Sequence, residues 1–396
     1  MNILQITAWL PYPPEGGGKL EVFNSIKFLS SRHSITLVSF IREGEEQYLR
    51  TLESYCESVH VIPHSFNYDI FKMFVNLFSN TPYTIERYNV PEMAELIKTL
   101  VRDHAYDLVR IDHLHMAQYR PFCGELPVVL RCHNIENHIM KRFYQHTTNP
   151  FVKFYAYLQW KKLHQYEIDS CSLFNRCLMI SPVDEQFLHA VIEDVETALV
   201  TAGVDDGYFH PNGNVPVNPR QLVFTGDMIW RPNDDGVLWF IDHILPLIQA
   251  HIPDVTFYVV GRNPSDRLLT RQDEHIIITG RVEDVRPYVH QSSIFVVPLR
   301  IGGGMRLKIL EAMAMKKAVV STSIGAEGIH VKSGENILLA DTPDAFAEAI
   351  ITLLEEPELR CNIAQNGYKL IQEQYTWERI AERLEQVYID VLNEMK

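Results

Sequence analysis

The 396 residues, 46% hydrophobic and 22% charged, have the balance of a globular enzyme and the length for two domains, each able to bury its own core. Thirty-six basic side chains against fifty acidic ones leave a net charge of −14, so no nucleic acid is expected as a partner, whereas a small anion needs only local charge and backbone dipoles. No apolar run reaches the roughly 18 residues that span a bilayer, and no basic leader with an apolar core opens the sequence. The six cysteines (56, 123, 132, 171, 177 and 361) show neither CxxC spacing nor a dense framework, so a cytoplasmic protein with reduced thiols is expected.

In chain order, Met1 to Thr7 reads as a buried first strand, followed by Pro11-Tyr12-Pro13-Pro14-Glu15-Gly16-Gly17-Gly18-Lys19. That loop lacks the G-x-G-x-x-G spacing of a dinucleotide site, which argues against a nicotinamide oxidoreductase. Further strands are predicted at 35–40, 107–111, 127–132 and 176–180, then at 222–225, 255–260, 275–279, 294–297 and 318–321. Each is apolar almost without alternation, as in parallel sheets covered by helices on both faces, and the rhythm gives two doubly wound α/β units.

Asp112 and His113, with His115 close by, follow the 107–111 strand, and His133 follows the next one. Between Glu136 and Glu167 no acidic residue occurs, whereas Lys141, Arg142, Lys153, Lys161 and Lys162 are interleaved with aromatic residues; an earlier apolar stretch runs from Phe66 to Phe78. Such faces either dock on anionic lipid, giving a peripheral membrane contact, or pack as ordinary helices with solvated lysines. Turn formers without period mark a boundary, which divides the chain into a first domain (1–204), a linker (205–219), a second domain (220–375) and a C-terminal helix (376–396) for which packing back on the first domain is one option.

The most informative stretch is Gly302-Gly303-Gly304-Met305-Arg306-Leu307-Lys308, after the 294–297 strand, with Glu311 about two turns into the helix that follows. Glycines let the backbone approach an anion, and a helix start offers unpaired N–H groups with a positive dipole end. Arg306 adds a fork suited to phosphate and Lys308 a point charge. A carboxylate among Leu310, Ala312, Met313 and Ala314 is costly unless hydroxyls or a cation satisfy it. The bland alternatives are a tight glycine turn and an i, i+3 surface pair between Lys308 and Glu311.

With Glu311, Ala312-Met313-Ala314, Val319-Val320-Ser321-Thr322 and Gly325-Ala326-Glu327-Gly328, and with Val204-Asp205 and Phe209-His210-Pro211 at the junction, the second half resembles the family-four retaining glycosyltransferases of the GT-B fold. The first half is similar to them more weakly. The resemblance implies an α/β fold of two Rossmann-like domains with an interdomain cleft, the donor nucleotide-sugar on the second domain and a glycan or lipid-linked glycan acceptor on the first. It implies Glu311 on the nucleotide ribose, Arg281 and Val282 near the base, and a loop over the donor phosphate with Gly17 and Gly18 as contacts. His133 would stand near the reacting sugar, with Asp112 and His113 on the acceptor side. An ordinary turn at Arg281-Val282 or at Gly17-Gly18 and a satisfied core histidine at 133 are the alternatives.

Two departures stand out. Gly303 occupies the place of the family's first glutamate. After Phe224-Thr225-Gly226 the chain has Asp227 and then Trp230-Arg231, where the family has Arg and Lys against the diphosphate. Arg306 and Lys308 are the expected substitutes, a pattern resembling a subgroup linked to exopolysaccharide synthesis. The donor contacts so predicted are Gly17, Gly18, Gly226, Arg231, Arg281, Val282, Gly303, Gly304, Met305, Arg306, Leu307 and Glu311, with His133, Arg306 and Lys308 in catalysis. No metal and no cofactor beyond a nucleotide-sugar, preferably UDP-linked, is expected. The expected function is a cytoplasmic hexosyltransferase that acts with retention in surface or extracellular polysaccharide biosynthesis, with the inner face of the membrane as one location; the alternative is a non-catalytic nucleotide-sugar-binding partner of a glycan-synthesis complex.

Overall fold

A computed structural model describes residues 1–302 and 304–395. The chain divides into two compact units, one made of Met1–Thr201 with Ile380–Lys396, the other of Ala202–Arg379.

The first unit holds a seven-stranded parallel sheet of β1 (Asn2–Thr7), β2 (Ser34–Ile41), β3 (Ser58–Pro63), β4 (Leu108–Asp112), β5 (Val128–Cys132), β6 (Arg176–Met179) and β7 (Thr197–Leu199), in the order β3-β2-β1-β4-β5-β6-β7. In the second unit β8 (Asn218–Thr225), β9 (Thr256–Val260), β10 (Ile276–Gly280), β11 (Ser292–Val297), β12 (Ala318–Ser321) and β13 (Leu338–Leu339) run in the order β10-β9-β8-β11-β12-β13, all parallel. Both are the doubly wound order, and both units are Rossmann-like. The architecture is GT-B.

The nine strands predicted after the first all form, with no end more than four residues from its expected place. β8 starts earliest, at Asn218, inside the segment expected to be linker. Three strands were not anticipated. β3, β7 and β13 are short or half-exposed edges, where the continuous apolar run that marks a central strand is missing. By contrast every residue of β4, β5, β11 and β12 is buried.

The helix Leu307–Ala314 is built of strong helix formers and buries Ile309, Leu310, Ala312, Met313 and Ala314. It ends where Lys316 takes the left-handed conformation (φ 57°), with Lys317 N donating to Ala312 O at 3.0 Å and Lys316 N to Met313 O at 2.9 Å. That pair of bonds is a Schellman closure. Glu311 therefore stands just over one turn into the helix, not two, because Arg306 is the N-cap residue and the glycine loop is not helical.

Candidate functional site

In the second sheet the strand order reverses between the neighbours β8 and β11, and open α/β sheets bind ligands at that point, beyond the carboxyl ends of the strands. Two loops flank it. One runs from Gly226 into the helix Arg231–Trp239; the other runs from Pro298 into the helix Leu307–Ala314. The two loops bring Gly226 close to Lys308, and carry Gly304 and Arg306 on the same side of the reversal, whereas Arg231 is exposed and lines a separate cavity with Asp234, Asp235 and Arg300. Gly303 lies outside the described residues.

Gly302 takes φ 132°, which a residue with a Cβ rarely adopts, and a Cβ there would push the Arg306 guanidinium aside. Arg306 is buried, its Nη1 donates to Gly304 O at 2.6 Å, and its guanidinium lies 5.1 Å from the Trp230 ring centroid. Its side chain does not cap the first-turn amides of its own helix. Lys308 Nζ donates to Asn233 Oδ1 at 2.8 Å and sits 3.9 Å above the Phe224 ring. Asn233 Nδ2 in turn donates to Asp227 O at 2.8 Å, so one amide ties both loops together. Lys308 is therefore not in a surface ion pair. Burial pushes its ammonium down to about 7, opposed by Glu311, and burial pushes the Glu311 carboxyl up to about 7, opposed by Lys308.

Asp227, where the family pattern carries an arginine, is answered locally. Asn263 Nδ2 at 2.9 Å and Arg262 Nε at 2.7 Å donate to it and hold its carboxyl below the ordinary range. Met305 and Leu307 are half-buried and pack against the hydrophobic core. Arg281 is exposed and Val282 packs on the core, both after β10, the edge strand two places from β8.

The first unit repeats the topology, with its reversal between β1 and β4. Gly18, in the first turn of the helix Gly17–Leu29, backs onto two histidines: a Cβ would lie 3.3 Å from His113 Cε1 and 3.9 Å from His133 Nδ1. The two imidazoles stack at 4.0 Å between centroids, and Trp9 covers His113 at 4.3 Å. His113 has φ 72°, a strained conformation for a residue with a Cβ. Burial, reinforced by His133, holds its imidazolium form well below the ordinary range, so it is neutral. His115 turns elsewhere, against Tyr88, and burial pushes it down to about 4.

Beneath the histidines lies a charge network that the sequence reading missed. Glu21 accepts from Arg110 Nη2 at 3.0 Å and stands 3.1 Å from Arg131 Nε. Asp112 accepts from Arg110 Nη2 at 2.7 Å and from Gln5 Nε2 at 2.8 Å. His133 Nε2 lies 3.6 Å from an oxygen of each carboxylate. Burial opposes the charge on both acids, but Arg131 and Arg110 outweigh it at Glu21, and Arg110 with His133 does so at Asp112; both carboxyls lie below their usual range. The register sets Asp112 beside Arg131 and Gln5 beside Arg110 on adjacent strands. The available signal was a lone arginine in the middle of two apolar strands, which demands a buried partner.

Residues 219–356 match the family model described as "Glycosyl transferases group 1". A Klebsiella pneumoniae relative described as an uncharacterized 44.6 kDa protein in the cps region is 24% identical over 399 residues, covering 96% of this chain and 97% of that protein. The lipopolysaccharide core biosynthesis mannosyltransferase LpcC of Rhizobium leguminosarum bv. viciae is 28% identical, covering 51% of this chain and 62% of its own. Among solved structures, Anabaena HepE in complex with UDP superposes with a TM-score of 0.69 at 15% identity, over 98% of this chain and all of that one.

Proposed function

We infer that this chain, whose second unit matches the group 1 glycosyl transferases over residues 219–356, is a glycosyltransferase of polysaccharide or glycan biosynthesis. The finer reading is a retaining hexosyltransferase of the exopolysaccharide type, acting on a glycan or lipid-linked glycan at the cytoplasmic face of the membrane. The observation that supports a nucleotide-sugar donor is the convergence of Arg306, Lys308 and an amide-bearing helix start at the point of strand reversal, a setting that suits an anion.

The donor's diphosphate lies against Gly304, Arg306 and Lys308, and Glu311 accepts from the ribose hydroxyls. Gly226, Arg231 and the main chain of Met305 and Leu307 line the same loops; Arg281 and Val282 approach the base. As the sugar–phosphate bond breaks, charge grows on the leaving diphosphate, where the fixed cations are already aimed. That diphosphate takes the proton of the attacking hydroxyl. For the first unit, taken by itself, the same reading assigns Gly17 and Gly18 as phosphate contacts, His133 as a donor to a sugar hydroxyl that fixes the pose, and Asp112 and His113 to the acceptor. A uridine diphosphate hexose is the preferred donor, in keeping with the UDP held by HepE.

No metal is proposed. Glu21, Asp112 and His133 have ligand atoms within 4.8 Å of one another, but Arg110 and Arg131 already neutralise the carboxylates, a poor donor set for a divalent cation. The functional test combines thermal stabilisation across nucleotide sugars with donor hydrolysis by the purified protein. One UDP-sugar should raise the melting temperature and be hydrolysed slowly, with and without EDTA. Stabilisation without turnover across many acceptors would favour the second reading, a non-catalytic nucleotide-sugar-binding partner, for which glycine at 303 in place of glutamate speaks. Loss of turnover in EDTA would overturn the metal-free mechanism.

Arg306→Ala removes a charge-assisted hydrogen bond of roughly 1.5–3 kcal/mol, so donor affinity should fall about ten- to hundredfold. Calorimetric titration with UDP reads this directly, and an unchanged Kd would take Arg306 out of the site.

A further inference from the structure

The helix Ile70–Asn76 in the first unit is turned inside out. Phe71 is 74% exposed and Phe74 60%, and Phe78, just past its end, is 84% exposed. The residue that faces inward is polar. Asn76 Oδ1 accepts from Gln159 Nε2 at 2.9 Å, and its carbonyl accepts from Lys162 Nζ at 2.6 Å. Hydrogen bonds thus anchor this helix to the helix Pro150–Cys171 and leave its aromatic rings in water, the reverse of a helix packed on a core.

The helix that receives it continues the pattern at its own start, where Phe151 is 85% and Phe154 63% exposed. Five phenylalanines so exposed, on two helices tied together at Asn76, are more apolar surface than isolated exposed residues leave on an ordinary monomer. The stretch of chain that carries Phe151 and Phe154 is one-sided in charge. Residues 137–166 contain no acid and five lysines or arginines, in a protein of net charge −14. Three of those cations are held over aromatic rings: Lys141 and Lys161 lie 5.5 and 4.9 Å from the Trp160 ring, and Lys153 lies 5.6 Å from that of Tyr144.

We propose that this face of the first unit, formed by Phe71, Phe74, Phe78, Phe151 and Phe154 with the lysines beside them, docks on the surface of an anionic lipid bilayer. The rings enter the interface and the lysines meet lipid phosphates, the division of labour of an interfacial amphipathic element. No helix among the described residues is long and apolar enough to cross a membrane, so the contact is peripheral. A second copy of the chain is a poorer occupant, because a two-fold contact would set the same basic patch against itself. The docking does not depend on the transfer reaction.

Vesicle co-sedimentation of the full chain tests it. Vesicles of equal parts phosphatidylcholine and phosphatidylglycerol should bind the protein at low salt, and pure phosphatidylcholine vesicles at least about tenfold more weakly. Raising salt to about 1 M, where the screening length is about 3 Å, should release most of it. The triple variant F71S/F74S/F78S alters exposed rings only, so it should keep its melting temperature and its UDP binding while its partitioning falls at least about a hundredfold. K141E/K153E/K161E should lose the preference for the anionic vesicle. Binding by the Phe variant equal to that of the unaltered chain would overturn the proposal. So would failure of the unaltered chain to bind either vesicle, with or without self-association that the Phe variant abolishes.

Discussion

Lys308→Ala is expected to lower kcat for sugar transfer by about 10²–10³-fold, the cost of removing one preorganised group from the place where transition-state charge develops. The Lys308 ammonium is held by Asn233 Oδ1 and by the face of the Phe224 ring. It carries a second, independent signature. In the free protein burial holds the Lys308 ammonium down to about 7, against an ordinary value of 10.5, so above pH 7 it is increasingly the neutral amine. A bound diphosphate favours the charged form and pulls the value back up. Nucleotide binding at pH 8 should therefore take up a proton, and affinity should fall as pH rises from 7 toward 10.5. Glu311, pushed up to about 7, is by contrast mostly ionised at pH 8 before the ligand arrives. Titration calorimetry of UDP in two buffers of different ionisation enthalpy reads the uptake, which should vanish in the variant. Turnover within threefold of the unaltered chain, or no uptake at pH 8, would refute the assignment (a threefold change is about 0.65 kcal/mol).

Glu21→Ala should cost the first unit about 3–5 kcal/mol, because it strands buried cations instead of removing a balanced set. Arg131 and Arg110 are fully buried, and both lean on that carboxylate. Arg110 keeps Asp112, Ser25 and Tyr388 as partners, whereas Arg131 keeps distant carbonyl oxygens at 3.4 Å. For a unit of this size the deficit corresponds to a fall in melting temperature of roughly 6–20 °C. Differential scanning calorimetry should show it, and a shift below about 2 °C would mean that solvent reaches Arg131 in a way its burial denies. His133 depends on the same carboxylate, so the variant should also lose activity at temperatures where it remains folded.

The central strands were legible because a parallel strand covered on both faces is largely apolar; β11 and β12 are buried at every position and apolar at all but Ser292, Ser293 and Ser321. The place of the glycine loop, between a strand and a helix, was legible from its residue types, and the topology sets it at the strand reversal. What was not legible depends on distant parts of the chain. Glu21 sits in a helix whose sequence gives no hint that two strands, about 90 and 110 residues later, will each aim a guanidinium at it. The start of the helix at Leu307 was misjudged because Gly302 and Gly304 take left-handed conformations that composition alone does not fix. Asp227 read as a defect in an anion site, and only the folded loop shows Arg262 and Asn263 answering it.

The final helix, Trp377–Glu394, belongs from Ile380 onward to the first unit, where Tyr388 is fully buried and its hydroxyl meets Arg110. During synthesis, then, the unit that emerges first is also the last to be completed. At the roughly 5–20 residues per second of translation, the nascent first sheet waits on the order of 10–40 s for the segment that closes it, while the second unit is made. Chaperone demand at the ribosome is thereby written into the chain's connectivity.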